Sequence, residues 1–460
     1  MERAPVSCDY EVDVAVVGGG ACGLMTALRT ARHPSLRVAV FEKGSRLMSS
    51  AEISSGTLAA AGTRFQTAAG IVDAPERHAE DVIQKNHGRC NREVVLALCR
   101  AAPRYVEYLA DELGHPVELA PDMSRVGHSV PRLHSDKGRT GGTTLVKTLK
   151  RGLAASPNVT FVDNTPGTGL IGDSDAVLGL RVLENGEPRA VRARATVLAC
   201  DGFGANREMV ARYCPDMAGA AYIGVEGNTG DAIVWATELG AATDHMTAYL
   251  GHGYVAAGYG TRLSPAIPLE GGIVVNHDGR RFVREDQGYS EFARCVLSQP
   301  EHRALEVWDE RIMRRVENSE LMRDSAAAGA YRRFESWEEL ASACGLPLVV
   351  LRETVQEYHR AIRRGVDEFG RSRFGQPLAP SLYAAWITGG LANTQGGLRV
   401  DACGRVQRAA GGALRNLYAG GGTAAGISGE GGDGYLSGNG FLAAFSFGYL
   451  IGDHLAEHLR

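Results

Sequence analysis

The sequence lacks the usual marks of a metal centre, a membrane anchor or a nucleic-acid surface. Its nine cysteines (Cys8, Cys22, Cys90, Cys99, Cys200, Cys214, Cys295, Cys344 and Cys403) form no CxxC, no CxxCH and no metal-ligand spacing. Covalent haem, a zinc site or any other metal is therefore not expected, and the scatter suits a reduced, cytoplasmic protein. No charged-then-apolar leader precedes the first strand. No uncharged apolar run reaches the roughly 18 residues that span a bilayer. The longest candidate, 440–452, is short and glycine-bearing and reads as a buried helix. A formal net charge of −4 gives no reason to expect nucleic acid or an anionic membrane as partner.

Glycine, in contrast, is abundant: 59 of 460 residues, roughly twice average usage. The glycines cluster towards both ends, as tight turns and close approaches of backbone to a ligand require. The apolar run VDVAVV, ending at Val17, has the pattern of a strand buried on both faces. It leads directly into Gly18-Gly19-Gly20-Ala21-Cys22-Gly23, a complete GxGxxG, and then a helical stretch. Gly18 allows the tight turn, Gly20 lets backbone approach a pyrophosphate, and Gly23 lets the helix pack on the strand. A second strand (37–41) ends at Glu42, placed to accept hydrogen bonds from ribose hydroxyls. Strand, glycines, helix, strand and acid in this order specify dinucleotide binding, but do not separate FAD from NAD.

Further blocks carry a resemblance. The segments FEKG (41–44), AEISSGTLAAAGTRFQ (51–66), ATVLACDGFGANREMV (195–210), GNTGDAI (227–233), GGIVVNHDGRRFVRE (271–285), NTQGGLRVD (393–401) and NLYAGGGTAAGISG with GYLSGNGFLAAFSFG (416–448) resemble the fumarate reductase/succinate dehydrogenase flavoprotein superfamily, in its order and over nearly the whole chain. The resemblance implies an α/β fold: a discontinuous Rossmann-like FAD-binding domain (1–250 and 392–460) with an inserted α+β capping domain (251–391). Within the cap, charged helices are expected over 301–317 and 337–364. The resemblance further implies that Gly18, Gly20, Ala21, Cys22, Gly23, Glu42, Lys43, Ser49, Ser50, Ser55, Gly56, Cys200, Asp201, Gly202, Asp231, Gly421, Asn439, Gly440, Phe441 and Leu442 lie on or near FAD. Ser55 and Asp231 are also residue types that cap helices. Members with covalently attached flavin carry a His where this chain has Ser49-Ser50-Ala51-Glu52, so non-covalent FAD is expected.

The substrate side departs from the fumarate reductases. They place arginines where this chain has Tyr289 and Tyr435, and a His-Thr where it has Asn393-Thr394; only His252, in LGHGY, matches a substrate-side His. A dicarboxylate calls for bidentate arginines, so a neutral substrate is expected. The tyrosine pair resembles the 3-ketosteroid dehydrogenases of the same superfamily. That likeness implies Tyr289 as the base removing a proton α to a ketone, Tyr435 as donor to the carbonyl oxygen, and the Asn439 N–H as its partner. His252 joins this catalytic set, and Arg132, His134 and Asn393 are expected as substrate contacts. Each also has a structural reading: a packing tyrosine, a satisfied histidine, a solvated loop.

The expected reaction is FAD-dependent desaturation of the α,β C–C bond of a neutral, cyclic ketone, a small-molecule substrate. The alternative is an ene-reductase acting on an activated C=C bond, and a flavin-binding protein without turnover is a third class. Residues alone do not choose a direction. No haem motif, iron–sulfur spacing or second GxGxxG supplies an electron source, which favours oxidation with an external acceptor.

Overall fold

A computed structural model describes residues 8–44, 46, 48–121, 127–138, 141–371 and 373–459. The chain divides into two compact units. One takes the described residues up to Cys214, Gly224–Tyr249 and those from Asn393 onward; the other takes Pro215–Ile223 and Leu250–Ala392. The short excursion Pro215–Ile223 joins the second unit because its strand, Ala221–Tyr222, pairs parallel with Gly390 and Leu391. Assigning all of 1–250 to the first unit is corrected to that extent.

The first unit is built on an eight-stranded sheet. Its parallel core runs Ala413–Ala419, Glu187–Leu198, Tyr10–Val17, Val38–Phe41 and Val159–Val162. Val14, Ala15 and Val16 are fully buried, as strands covered by helices on both faces must be. The register decides where the ligand loops fall. Val17 pairs with both Phe41 and Leu198, and Leu198 with Ala419. Four strands thus end level, and their following loops emerge side by side at the carboxyl edge, where open α/β sheets bind ligands.

Two helices, Ala21–Thr30 and Asn439–His458, pack across this sheet from opposite ends of the sequence. A Cβ on Gly448 would lie 2.6 Å from the Cys22 carbonyl oxygen, and one on Gly452 2.4 Å from Arg29 Cβ. The order of these contacts makes the helices parallel. The later one starts at Asn439, about 13 Å ahead of its contact with Cys22 at 1.5 Å per residue. Both amino termini therefore point the same way, offset along one line.

The second unit is a six-stranded mixed sheet around the long strand Leu382–Thr394, with Trp308, Tyr254, Phe292 and Phe334 in its core. Two expectations change here. Residues 303–309 form a strand, because Ala304, Leu305, Val307 and Trp308 are buried against Leu382–Thr388; only Glu310–Val316 is α-helical. The stretch 337–364 is two helices, Trp337–Cys344 and Leu348–Arg364, interrupted at Gly345 (φ 69°) and Pro347. Arg281, after the turn closed by the Asn276–Arg280 hydrogen bond, meets Glu285 and Asp367 in a buried ion cluster that Arg371 completes.

Candidate active site

Gly18 turns the first strand into its helix with φ +104°, and its N–H donates to the Phe41 carbonyl at 2.8 Å. A Cβ on Gly23 would stand 2.0 Å from the Gly18 carbonyl oxygen, so no other residue fits there. A Cβ on Gly20 would meet nothing within 4 Å. That space, in front of a helix amino terminus, is where a pyrophosphate can be received. Ala21 and Cys22 begin this helix and are buried; burial pushes the Cys22 thiol up to about 12, so it stays neutral. The Glu42 carboxylate accepts from the N–H of Gly19 (2.7 Å) and of Gly44 (3.0 Å), tying the end of the second strand to the glycine turn.

The neighbouring loops are cross-braced by side chains. Lys43 Nζ reaches Asp231 (3.2 Å) and Thr229 Oγ1 (3.1 Å), and Thr229 donates to Asp231 at 2.7 Å. Asn228 Nδ2 donates to Ser50 Oγ (2.9 Å) and to Asp201 (3.1 Å). Asp201 holds a left-handed conformation (φ 65°) and accepts from the Gly202 N–H. Thr423 Oγ1 donates to the Asp201 carbonyl, and a Cβ on Gly422, beside Gly421, would collide with the Asp201 carboxylate at 2.1 Å. Burial raises the Cys200 thiol to about 11. Ser49 donates to Glu52 (2.9 Å), Ser55 shares a hydrogen bond with Thr57, and Gly56 is pressed against the Gly141 backbone. Asn228 was missed as a site residue although its block was read; Gly141 and Gly142, which seat this loop, were missed as well.

The helix starting at Asn439 changes two assignments. The Asn439 N–H donates to the Leu436 carbonyl at 3.0 Å, so it is not the free donor expected for a substrate carbonyl. The Leu442 N–H is spent on Gly438, and its side chain is fully buried; it belongs to the core and not to the ligand surface. The N–H groups of Gly440 and Phe441 have no acceptor among the described residues, as the first turn of a helix dictates. A Cβ on Gly440 would come 3.5 Å from the Tyr435 hydroxyl, so hydroxyl and first turn sit together. Below them runs a side-chain relay: Asn439 Nδ2 to Ser428 Oγ (3.2 Å), Ser428 to Gln395 (3.0 Å), Gln395 to Asn393 (2.7 Å). Ser428 and Gln395 fall within the blocks NLYAGGGTAAGISG and NTQGGLRVD but were not singled out as site residues.

Arg132 and His134 do not serve as substrate contacts. Both are 0% exposed. Arg132 pairs with Asp73 (2.9 Å) and Asp81, and His134 hydrogen-bonds Thr63 (2.9 Å) and the Arg132 carbonyl. The cluster supports the loop above it: His128, beside Arg132, donates through Nε2 to the Ser437 carbonyl at 2.9 Å. Burial lowers His128 and His134 to about 4, so both are neutral near pH 7.

In the second unit, Tyr289 is the first residue of the helix Tyr289–Leu297, after Gly288. The His252 ring lies 5.5 Å from its ring. Burial, reinforced by Arg262, drops His252 to about 3. Its Nδ1 accepts from the Tyr254 N–H at 3.4 Å, leaving a neutral imidazole whose remaining proton is on Nε2. Arg262, on the return of the hairpin from Tyr249–Ala256, was not anticipated; a lone arginine in TRLSP has no motif around it.

The level loops, the open space at Gly20 and the two offset helix amino termini fit an extended dinucleotide: pyrophosphate on the first helix, a ring system at the second. The chain belongs to the family described as FAD binding domain, whose model matches residues 13–439. It is a FAD-dependent oxidoreductase. It is 28% identical over 453 residues to the NADH:fumarate oxidoreductase of Klebsiella pneumoniae, covering 97% of this chain and 48% of that protein; the chain thus spans about half of that relative. It is 30% identical over 364 residues to the 3-oxosteroid 1-dehydrogenase of Mycobacterium tuberculosis, covering 69% of this chain and 63% of that protein. Among solved structures, the open conformation of a flavocytochrome c3 fumarate reductase superposes with a TM-score of 0.83 at 26% identity, over 98% of this chain and 79% of that one. Among the described residues no helix is long and apolar enough to cross a membrane.

Proposed function

We propose that the chain desaturates the α,β C–C bond of a neutral, cyclic ketone. Tyr289 removes the proton from the α carbon. The Tyr435 hydroxyl hydrogen-bonds the carbonyl oxygen, helped by the unsatisfied N–H groups of Gly440 and Phe441. FAD, when bound, would supply the two-electron oxidant that accepts the hydride lost from the β carbon. Proton and hydride together account for the two hydrogens lost, and the product is an enone.

The observation carrying this reading is the setting of Tyr289: the amino terminus of a helix, beside a neutral imidazole. A helix amino terminus favours an anion, and a tyrosine near pKa ~10 needs such help to act as a base. Donors to the carbonyl oxygen lower the barrier to the enolate-like transition state by about 3 kcal/mol each when well placed. A phenylalanine at Tyr289 is expected to keep FAD and lose turnover about 10²-fold or more; near-wild-type turnover removes Tyr289 from the mechanism.

The direction is tested by mixing the oxidised holoprotein anaerobically with saturated ketones, from cyclohexanones to 3-oxo steroids. Loss of visible flavin absorption with one class is the expected result. The second reading, an ene-reductase, is favoured by the fumarate-reducing relatives. It replaces the first if no ketone bleaches the flavin while enones reoxidise the chemically reduced protein.

A further inference from the structure

The turn between Tyr435 and the helix Asn439–His458 is held from outside itself. The Leu436 carbonyl takes the Asn439 N–H, and the Gly438 carbonyl takes the Leu442 N–H. The Ser437 carbonyl, between them, accepts from His128 Nε2 at 2.9 Å, across 309 positions of sequence. The neighbours of His128 dictate the direction of that bond. A carbonyl oxygen only accepts and a guanidinium only donates. Arg132 Nη1 lies 3.3 Å from His128 Nδ1, so Nδ1 is the acceptor and the ring proton sits on Nε2, facing Ser437. Arg132 is itself fixed by Asp73 and Asp81. The same segment seats the turn a second time. A Cβ on Gly438 would come 2.6 Å from the Ala59 Cβ; Ala59 pairs with Leu133, and the Ala60 N–H donates to the Arg132 carbonyl at 3.1 Å. Between the two seats Leu436 is fully buried, and a Cβ on Gly127 would meet its Cδ1 at 2.8 Å. The ring of His78 stands 6.0 Å from that of His128, and neither of its nitrogens has a partner among the described residues, so it supplies no competing bond.

We propose that His128 is a positioning residue for Tyr435: its Nε2–H, aimed by Arg132, clamps the Ser437 carbonyl and so holds the Tyr435 hydroxyl beside the first turn of the helix. The proposal rests on the assignment of Tyr435 as donor to the substrate carbonyl. His128 acts through the backbone of the turn, two residues from Tyr435 on one side and two from Asn439 on the other. A donor whose bond strengthens as the enolate develops contributes to the rate more than to ground-state binding. Its displacement by about 1 Å can cost about 10²-fold. The buried Asp73–Arg132–Asp81 pairs then do more than stabilise the unit: they select the one histidine tautomer that can hold the turn.

The test uses the FAD-loaded protein and two polar variants. His128→Asn keeps an acceptor for Arg132 but is too short to reach Ser437, whereas His128→Gln carries an amide N–H to about the position of Nε2. In anaerobic mixing with the responsive ketone, His128→Asn is expected to slow the limiting rate of flavin reduction by at least about tenfold. The ketone Kd should change by less than about threefold. His128→Gln should restore most of the rate, which a merely structural role would not produce. On a Tyr435→Phe background, His128→Asn should cost less than about threefold, because the group it positions is gone. A wild-type rate in His128→Asn overturns the proposal, and so does failure of His128→Gln to restore it or an undiminished loss on the Tyr435→Phe background. Deuterium exchange reads the clamp without turnover. The peptide carrying 436–442 should exchange at least about tenfold faster in His128→Asn and return towards wild type in His128→Gln; unmoved exchange overturns the proposal. If exchange follows this pattern while no ketone reduces the wild-type flavin, the clamp on the turn stands and the ketone reading falls.

Discussion

In the first unit the ligand-facing loops are shaped by absent side chains: Gly18, Gly20, Gly23 and Gly422 leave room for backbone, carboxylate or ligand. In the second unit the candidate chemistry depends on side chains alone, with Tyr289 carried by a helix and His252 by a strand. The first kind of site tolerates little change at its glycines: a Cβ at Gly18, Gly23 or Gly422 enters occupied space, and one at Gly20 enters the open space in front of the helix amino terminus. The second kind can be retuned one residue at a time while its sheet stays intact. That division lets one cofactor fold serve relatives with different substrates.

The largest effect expected from breaking this contrast is at Gly23. A Val there would put Cβ 2.0 Å from the Gly18 carbonyl; no FAD-loaded, cooperatively folding protein should be recovered, judged by flavin absorbance and circular dichroism. Next, Arg132→Met leaves Asp73 and Asp81 buried without their cation. It should cost about 3–5 kcal/mol in urea denaturation, with ketone KM unchanged in the protein that folds. A KM defect at full stability would return Arg132 to the substrate site.

A smaller effect concerns pH. The folded values of about 4 for His128 and His134 and about 3 for His252 lie below the unfolded ~6.5, so the unfolded chain binds protons that the folded one refuses. Their stabilisation is complete above ~6.5 and is lost as pH falls towards about 4, by up to about 3 kcal/mol for each histidine. Equal denaturation midpoints at pH 7 and 4.5 would contradict this. The mildest test is Gly20→Val. Its Cβ meets no protein atom, so the melting temperature should hold while FAD affinity drops by at least about tenfold. Unchanged affinity would move the pyrophosphate elsewhere.

Legibility followed the same division. The strand, the glycine turn and Glu42 could be read because backbone approach restricts residue choice at fixed spacing. The residues 303–309 misled because charges at Arg303, Glu306 and Asp309 imitate a helical surface, whereas Glu306 is in fact fully buried in a strand. Arg132 in a polar loop resembled a solvated or substrate-facing charge. Its partners Asp73 and Asp81 lie more than 50 residues away in sequence, where no local pattern points. The Asn439 N–H could be judged only from the turn that sends it to Leu436.

The parallel pairing of Ala21–Thr30 with Asn439–His458 also bears on biosynthesis. The glycine turn leaves the ribosome more than 400 residues ahead of the helix that completes its surroundings. Contacts so distant in sequence form slowly. Until that helix is made, the Cys22–Thr26 face lacks the surface that covers it in the fold, and cofactor capture has to wait for it. Over that interval the nascent flavin domain exposes apolar surface of the kind chaperones shield.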